Sequence, residues 1–199
     1  MLTVVIQAGG QSSRMGEDKA LKSFLGQPLI QRVIERLAPI ADEMIVTTNH
    51  PAEYGFLNMR LIPDLKPGRG ALGGLYTAIA SATYPFVAIV ACDMPFASKN
   101  FFESAYRLMV KEEADVVIAR IEEGYEPLHA LYRRETCLPA IAAAIDADQW
   151  KVSAWLPQVN VRIVSPDELK TFDPSGLCFW NANTPEEFIE AEKRAQVSD

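Results

Sequence analysis

Thr3-Val-Val-Ile-Gln-Ala-Gly-Gly-Gln-Ser-Ser-Arg-Met-Gly-Glu-Asp-Lys19 opens with a β-branched run, Val4-Val5-Ile6, and then turns glycine-rich and polar. The apolar run reads as a fully buried strand. It ends in Gly9-Gly10 and a loop carrying Gln11, Ser12, Ser13, Arg14, Gly16 and Lys19, and a helical pattern resumes near Pro28. The chain therefore leaves a sheet, makes a glycine-rich loop and enters a helix. Loops at the carboxyl ends of strands in open α/β sheets are where nucleotides sit. Glycines let backbone N–H groups approach phosphate oxygens, and Arg and Lys supply compensating charge. The loop is read as a cradle for a nucleoside triphosphate. It is not a Walker A sequence, because Gly16 is followed by Glu17. A surface turn of small polar residues is the plain alternative.

Outside this stretch the chain alternates strand and helix, which predicts a mostly parallel sheet covered on both faces. Strands are expected at Thr3–Gln7, Met44–Thr48, Met59–Ile62, Phe86–Val90, Asp115–Ile118, within Gly124–Arg133, at Val159–Ile163 and near Leu177–Trp180. Phe86–Val90 is the most continuous apolar run, so it is placed centrally. Helices are expected from Pro28 to Ala38, up to Ser81, from Ser98 to Lys111, from Glu135 to Ala147, and around Trp150–Leu156, with a helical turn after Pro51. The last helix begins at Thr184, with Pro185 in its first turn and Glu187 at the capping-box position. It carries Phe188, Ala191 and Ala195 on one face, with Ile189 beside them. The fold class is α/β: a single three-layer α/β/α domain, Rossmann-like.

The chain has 199 residues, 49% hydrophobic and 23% charged, enough for one domain with a substantial core. Its net charge of −7 disfavours a nucleic-acid groove, because phosphate backbones require a basic field. The three cysteines, Cys92, Cys137 and Cys178, are far apart and form neither a zinc pattern nor a disulfide framework. With no signal core and no apolar run long enough to span a bilayer, the protein is expected in the cytoplasm, away from membranes.

Other residues carry chemistry at expected strand ends. Asp93 lies just past the most buried strand, and the proline after Met94 holds that residue extended. It reads either as a helix cap or as a ligand for a hard divalent cation such as Mg²⁺; beside the first loop, the metal reading is favoured. Gly68-x-Gly70-x-x-Gly73 has dinucleotide-fingerprint spacing, but Pro63-Asp-Leu-Lys-Pro67 separates it from its strand, so a dehydrogenase is set aside. It reads as a pocket-lining loop or as a helix-leading turn with glycines for close packing. Asn49 and Asp64 end their strands on the same rim and are also common turn formers. His129 reads as an exposed strand residue by alternation, and Asn183 or Thr184 as a cap for the last helix. Trp150, Trp155 and Trp180 read as packing residues.

Ala8-Gly9-Gly10-x-Ser12-x-Arg14-Met15-Gly16-x-Asp18-Lys19 resembles the signature loop of the MobA-like nucleotidyltransferases, and more narrowly that of the molybdenum cofactor guanylyltransferases. The resemblance continues in order through Gly70-Ala-Leu-Gly-Gly74, Cys92-Asp-Met-Pro95, Pro127-Leu-His-Ala-Leu-Tyr132, Lys151-Val-Ser-x-Trp155-Leu156 and Asn181-Ala-Asn-Thr-Pro-Glu186. Two positions depart from the family pattern: Gln7 stands where Leu is usual, and Ala71 where Pro is usual. The resemblance implies a nucleotide-diphospho-sugar-transferase-like fold and transfer of GMP from GTP to molybdenum-bearing molybdopterin, releasing pyrophosphate. It implies Arg14, Lys19 and Asp93 as catalytic residues, with Asp93 holding Mg²⁺. Gln7, Ala8, Gly9, Gly10, Lys19, Asn49, Asp64, Gly70 and Asp93 would bind the nucleotide. Pro127, His129, Asn181 and Asn183 would face the acceptor, with His129 on an anionic group. Molybdenum-insertion and target-enzyme chaperone proteins are implied as partners. A cytidylyltransferase using the same loop and a nucleotide-binding regulatory module without turnover are the alternatives.

Overall fold

The computed structural model describes residues 1–8, 18–122 and 124–198. In chain order the regular elements are β1 (Leu2–Gln7), β2 (Ser23–Phe24), β3 (Gln27–Pro28), α1 (Leu29–Leu37), β4 (Glu43–Thr47), β5 (Arg60–Ile62), α2 (Gly70–Ser81) and β6 (Phe86–Ala91). There follow α3 (Lys99–Lys111), β7 (Val116–Ile121), β8 (Gly124–Tyr125), β9 (His129–Arg133), α4 (Arg134–Asp146), β10 (Val161–Val164), α5 (Pro166–Phe172) and α6 (Pro185–Ser198).

The main sheet runs in the order β10-β7-β9-β6-β1-β4-β5, with β8 paired to β7. Strands β6, β1, β4 and β5 are mutually parallel, as are β7 and β10. Strand β9 enters antiparallel between β6 and β7 and makes the sheet mixed. Strand β6 is central, as its unbroken apolar run requires: a strand covered on both faces has no polar face to present.

Alternation along the strands separates two cores. Val4, Ile6, Ala88 and Val90 pack with Ile30 and Val33 of α1 and with Phe101 and Phe102 of α3. Val5, Val87 and Ile89 pack on the other face with Leu72 and Leu75 of α2 and with Ile141 of α4. A third, smaller core lies outside these layers. There Phe188, Ala191 and Ala195 of α6 close on Phe24 of the β2–β3 hairpin, and the Phe24 and Phe188 rings meet edge to face at 5.4 Å. The final helix is thereby fastened to the segment just after the first loop.

Four expectations change. No strand forms at Leu177–Trp180; the Asp173 carboxylate takes the Cys178 N–H at 2.8 Å, and Phe179 packs its ring against Phe101 and His129. Residues 150–156 form turns leading to a single 3₁₀ turn at Leu156–Gln158. Helix α5 was not anticipated, although Ser165 and Glu168 build a full capping box at its start. Ile189 faces solvent, 52% exposed, because a 14-residue helix lying on a small hairpin buries only a narrow stripe.

Gly73 faces the chain that leads into α2. A Cβ built on it would stand 2.6 Å from the Lys66 carbonyl oxygen and 2.9 Å from the Arg69 Cβ, whereas one on Gly74 meets only Gln7, at 3.5 Å. Gly73→Ala is therefore expected to cost about 1–3 kcal/mol. Gly74→Ala is expected to leave stability level or slightly raised. Urea unfolding of the two variants checks this, and equal effects would contradict it.

Candidate active site

Backbone register brings four strand ends to one rim. Gln7 lies opposite both Thr47 and Ala91, and Thr47 lies opposite Ile62. The ladder extends one step past the strands: Ala8 N–H donates to Thr47 O at 2.9 Å, Cys92 N–H to Gln7 O at 3.1 Å, and Thr48 N–H to Ile62 O at 2.9 Å. From β1 the chain proceeds to β4 and β5 on one side, then returns through α2 to β6 on the other. Such a reversal opens a crevice between diverging loops, here those that follow β1 and β6.

Lys19 and Asp93 come from these two loops. Lys19 begins a 3₁₀ turn, Lys19–Leu21, capped by Asp18, whose carboxylate accepts from Ala20 N–H at 3.0 Å. The other Asp18 oxygen accepts from the hydroxyl of buried Tyr54 at 2.5 Å, which ties the turn to the segment after β4. Burial raises the Asp93 carboxyl above its ordinary value, the Lys19 charge opposes that, and Glu187 adds to it. Cys92, beside them, is held as a thiol by burial and by the Asp93 and Asp18 carboxylates. Asp93 does not cap the following helix: Ser98 does, accepting from Phe101 N–H at 3.2 Å.

The C-terminal segment completes the group. Ala182 N–H donates to Asp93 O at 2.9 Å, which lays residues 181–183 across the tip of β6. Lys19 Nζ then donates to Asn183 Oδ1 at 3.0 Å. The cap of α6 is made by Thr184, whose hydroxyl accepts from Glu187 N–H at 3.2 Å, while Glu187 Oε2 accepts from the N–H groups of Asn183 and Thr184. Asn183 is thus free of capping duty. Asn181 is half-buried, and its amide donates to Phe179 O at 3.3 Å.

The remaining candidates divide. Asn49 and Asp64 stand on the rim and brace one another, Asp64 N–H donating to Asn49 Oδ1 at 2.9 Å. Asp64 also accepts from the Thr77 hydroxyl at 2.7 Å and from Lys66 N–H at 3.1 Å, so its carboxylate holds the loop ahead of α2. Gly70 starts α2, exposed, with φ +56°. Gln7 and Ala8 are buried at the end of β1. Pro127 precedes β9 at the tip of β6, where Ala91 N–H donates to Leu128 O at 2.8 Å. Gly9, Gly10 and Arg14 lie outside the described residues. Two shallow pockets lie elsewhere, around Arg36, Ser98 and Asn100, and contain none of these groups.

His129 does not reach the rim, and it is not an exposed strand residue. Strand β9 lies inside the sheet and α3 covers it, so the imidazole is fully buried against Phe101, Phe102 and Phe179 at centroid distances of 4.8–4.9 Å. Burial pushes its pKa down to about 3, against the opposing pull of Asp173 and the Cys178 carbonyl. Such a residue cannot hold an anion as a surface cation would.

The model of the MobA-like NTP transferase domain matches residues 4–161. The chain belongs to the MobA-like NTP transferase family. It is 34% identical over 192 residues to the molybdenum cofactor guanylyltransferase of Desulfosudis oleivorans, covering 96% of this chain and 94% of that one. It is 34% identical over 196 residues to a probable molybdenum cofactor guanylyltransferase of Pelotomaculum thermopropionicum, covering 98% and 94%. Molybdopterin-guanine dinucleotide biosynthesis protein A of Archaeoglobus fulgidus superposes with a TM-score of 0.83 at 26% identity, covering 98% of this chain and 99% of that one. The Thermus thermophilus 2-C-methyl-D-erythritol 4-phosphate cytidylyltransferase, at 15% identity and a TM-score of 0.69, shares the nucleotidyltransferase fold. The chain is a nucleotidyltransferase built on the fold of the nucleotide-diphospho-sugar transferases.

No local pattern marks Tyr54 as the partner of Asp18, or Lys19 as meeting Asn183 across 164 positions. Pairing of side chains so far apart along the chain follows only from the fold; the Asp18 cap and the 3₁₀ turn it opens are local, but they fall where the sequence reading has only a polar loop.

The His129 environment sets a stability slope. The folded protein keeps this imidazole neutral down to about pH 3, while in the unfolded chain it protonates near its ordinary value of 6.5. Between those values the unfolded state binds the extra proton, so stability falls as pH falls. His129→Leu is expected to flatten the slope between pH 6.5 and 5 by up to about 1.4 kcal/mol per pH unit. Urea unfolding at stepped pH values checks this, and parallel slopes for the two proteins would contradict it.

Proposed function

We propose that this MobA-like nucleotidyltransferase transfers GMP from GTP to molybdopterin carrying molybdenum, yielding the guanine dinucleotide cofactor and pyrophosphate. The observation that carries the reading is the bridge made by residues 182–183 between the loops after β1 and β6: Asn183 Oδ1 accepts from Lys19 Nζ at 3.0 Å, and Ala182 N–H donates to Asp93 O at 2.9 Å. Relatives named as molybdenum cofactor guanylyltransferases match over nearly the whole chain, which supports the choice of substrates.

The terminal phosphate oxygen of the pterin attacks the α-phosphorus of GTP in line. One O–P bond forms as the α–β bridge bond breaks, and pyrophosphate leaves with the electron pair. Such a transfer needs positioning and charge stabilisation rather than a side-chain nucleophile. Lys19 neutralises charge on the transferred and leaving phosphates, exchanging Asn183 for phosphate oxygens, and Arg14 joins it. Gly9 and Gly10 donate backbone N–H groups. Ala8, Asn49, Asp64 and Gly70 line the nucleoside side, while Pro127, Asn181 and Asn183 face the acceptor.

A divalent metal, Mg²⁺ in this reading, fits Asp93. Among the described residues no three His, Cys, Asp or Glu side chains cluster as a metal cage. A hard cation that takes one carboxylate and completes its shell with phosphate oxygens suits that arrangement. Once bound, it would draw charge off the phosphate oxygens. The reading includes a cytoplasmic setting, delivery by molybdenum-insertion and chaperone proteins, and no contact with nucleic acid or membrane. All three cysteines are free, which agrees with a reducing compartment. Among the described residues no helix is long and apolar enough to cross a membrane.

Pyrophosphate release with molybdenum-loaded molybdopterin is expected from GTP and not from CTP. Asp93→Asn and Lys19→Ala are each expected to lower kcat by roughly 100-fold or more with unchanged circular dichroism. Full turnover in either variant would remove that residue from the mechanism, and turnover with CTP alone would reassign the substrate.

A further inference from the structure

Residues 177–183 cross the site without regular secondary structure, so point contacts set their height. Near the start, the Asp173 carboxylate accepts from Cys178 N–H at 2.8 Å, and Trp180 N–H donates to Leu177 O at 2.8 Å. At the far end Ala182 N–H is bonded to Asp93 O, and Asn183 Oδ1 to Lys19 Nζ. Leu177, Trp180 and Ala182 join the third core, and Arg194 of α6 stands over the Trp180 ring at 4.9 Å. Of the large apolar side chains in this strap, Phe179 is the one packed against the first core. Consecutive residues thus point into two different cores, and the strap sutures them.

The Phe179 ring meets two buried rings, Phe101 edge to face at 5.4 Å and His129 at 4.9 Å. His129 is the register partner of Val90, three residues before Asp93. The wedge therefore takes its position from the same strand end that carries Asp93. The Phe179 carbonyl oxygen accepts from the Asn181 side-chain amide at 3.3 Å, so the backbone that the ring anchors also orients that amide. Without the ring, the hydrogen bond from Ala182 to Asp93 O is the nearest tie between strap and sheet. One such bond contributes less than a buried aromatic ring, so it does not hold the strap alone.

We infer that Phe179 is a positioning residue: its ring, seated against Phe101 and His129, sets the height of the strap and thereby the places of Asn181 and Asn183 at the rim. The inference rests on the guanylyltransferase reading for its substrates and deepens it, because there the two amides face the acceptor. In that reading Phe179 touches neither substrate and acts through the strap. Loosening it is felt by the acceptor rather than by the nucleotide, whose contacts come from the loops after β1, β4 and β5.

The test is steady-state kinetics of the full chain with Mg²⁺, GTP and molybdenum-loaded molybdopterin, beside amide hydrogen exchange. Phe179→Ala is expected to raise the KM for the pterin about tenfold and to leave the Kd for GTP within about twofold. Phe179→Leu, a milder cut that keeps the core filled if the alanine variant does not fold, is expected to raise that KM about threefold. In both variants the Ala182 N–H is expected to exchange faster while the amides of β1 and β6 keep their wild-type rates. Leu108→Ala opens the same core two turns along α3 from Phe101 and is expected to leave KM and Kd unchanged. Wild-type pterin KM in the leucine variant overturns the inference and leaves the transferase reading standing. An equal rise in the GTP Kd, or an equal rise in pterin KM from Leu108→Ala, does the same. Absence of pyrophosphate release by wild type is distinguishable from all of these, and it overturns the guanylyltransferase reading along with the inference.

Discussion

The parallel ladders on either side of β1 fix everything at the rim. With Gln7 opposite both Thr47 and Ala91, the ends of β1, β4 and β6 are level to within a residue. A slip of one residue in either ladder would turn Val4 and Ile6 from one core to the other and carry the loops out of line. Because both faces of the sheet are buried, that slip is strongly opposed, so the precision of the site derives from core packing. Asp93 inherits its place from this register, four residues past Ile89, the register partner of Val5 in the buried layer.

At this fixed rim the charges are balanced narrowly. Asp93 sits in a desolvated position with Lys19 as its opposing charge and Glu187 as an added like charge. Desolvation makes each of those interactions stronger than it would be in water. Asn183 gives Lys19 a neutral acceptor, and among the described residues no carboxylate forms a salt bridge with the ammonium. In the proposed reading, such a group meets an incoming triphosphate with its cation still available and its carboxylate short of positive charge. Tyr54 contributes from beneath: its hydroxyl on Asp18 fixes the turn from which Lys19 projects.

Most of the architecture was legible because it rests on local signals. The β-branched run of β1 and the continuous run of β6 named the central strands, and Ser98, Thr184 and Glu187 announced helix starts that the structure contains. The order of motifs likewise pointed to the family to which the chain belongs. The misreadings came where tertiary packing overrides local pattern. His129 alternates like a half-exposed strand residue, yet its strand is covered by α3 on one face and by α4 on the other, so it is buried on both. Leu177–Trp180 has strand composition but spends Phe179 on plugging that same aromatic cluster. Ser165 followed by Glu168 is a local capping-box signal for a helix absent from the expected elements. Asn49 and Asp64 were expected to be either turn formers or ligands; the structure shows them bracing the rim loops, a task compatible with both.

The third core, where α6 closes on the β2–β3 hairpin, has a bearing on how local opening spreads through the molecule. The hairpin that anchors α6 begins a few residues after Lys19, and Asn183, just ahead of that helix, takes the Lys19 ammonium at 3.0 Å. This patch buries far fewer apolar side chains than either main layer, so α6 can lift from the hairpin at a smaller cost than the layers can part. Such a breathing motion releases the lysine while the sheet stays whole, and it ties the order of that side chain to the seating of a peripheral helix.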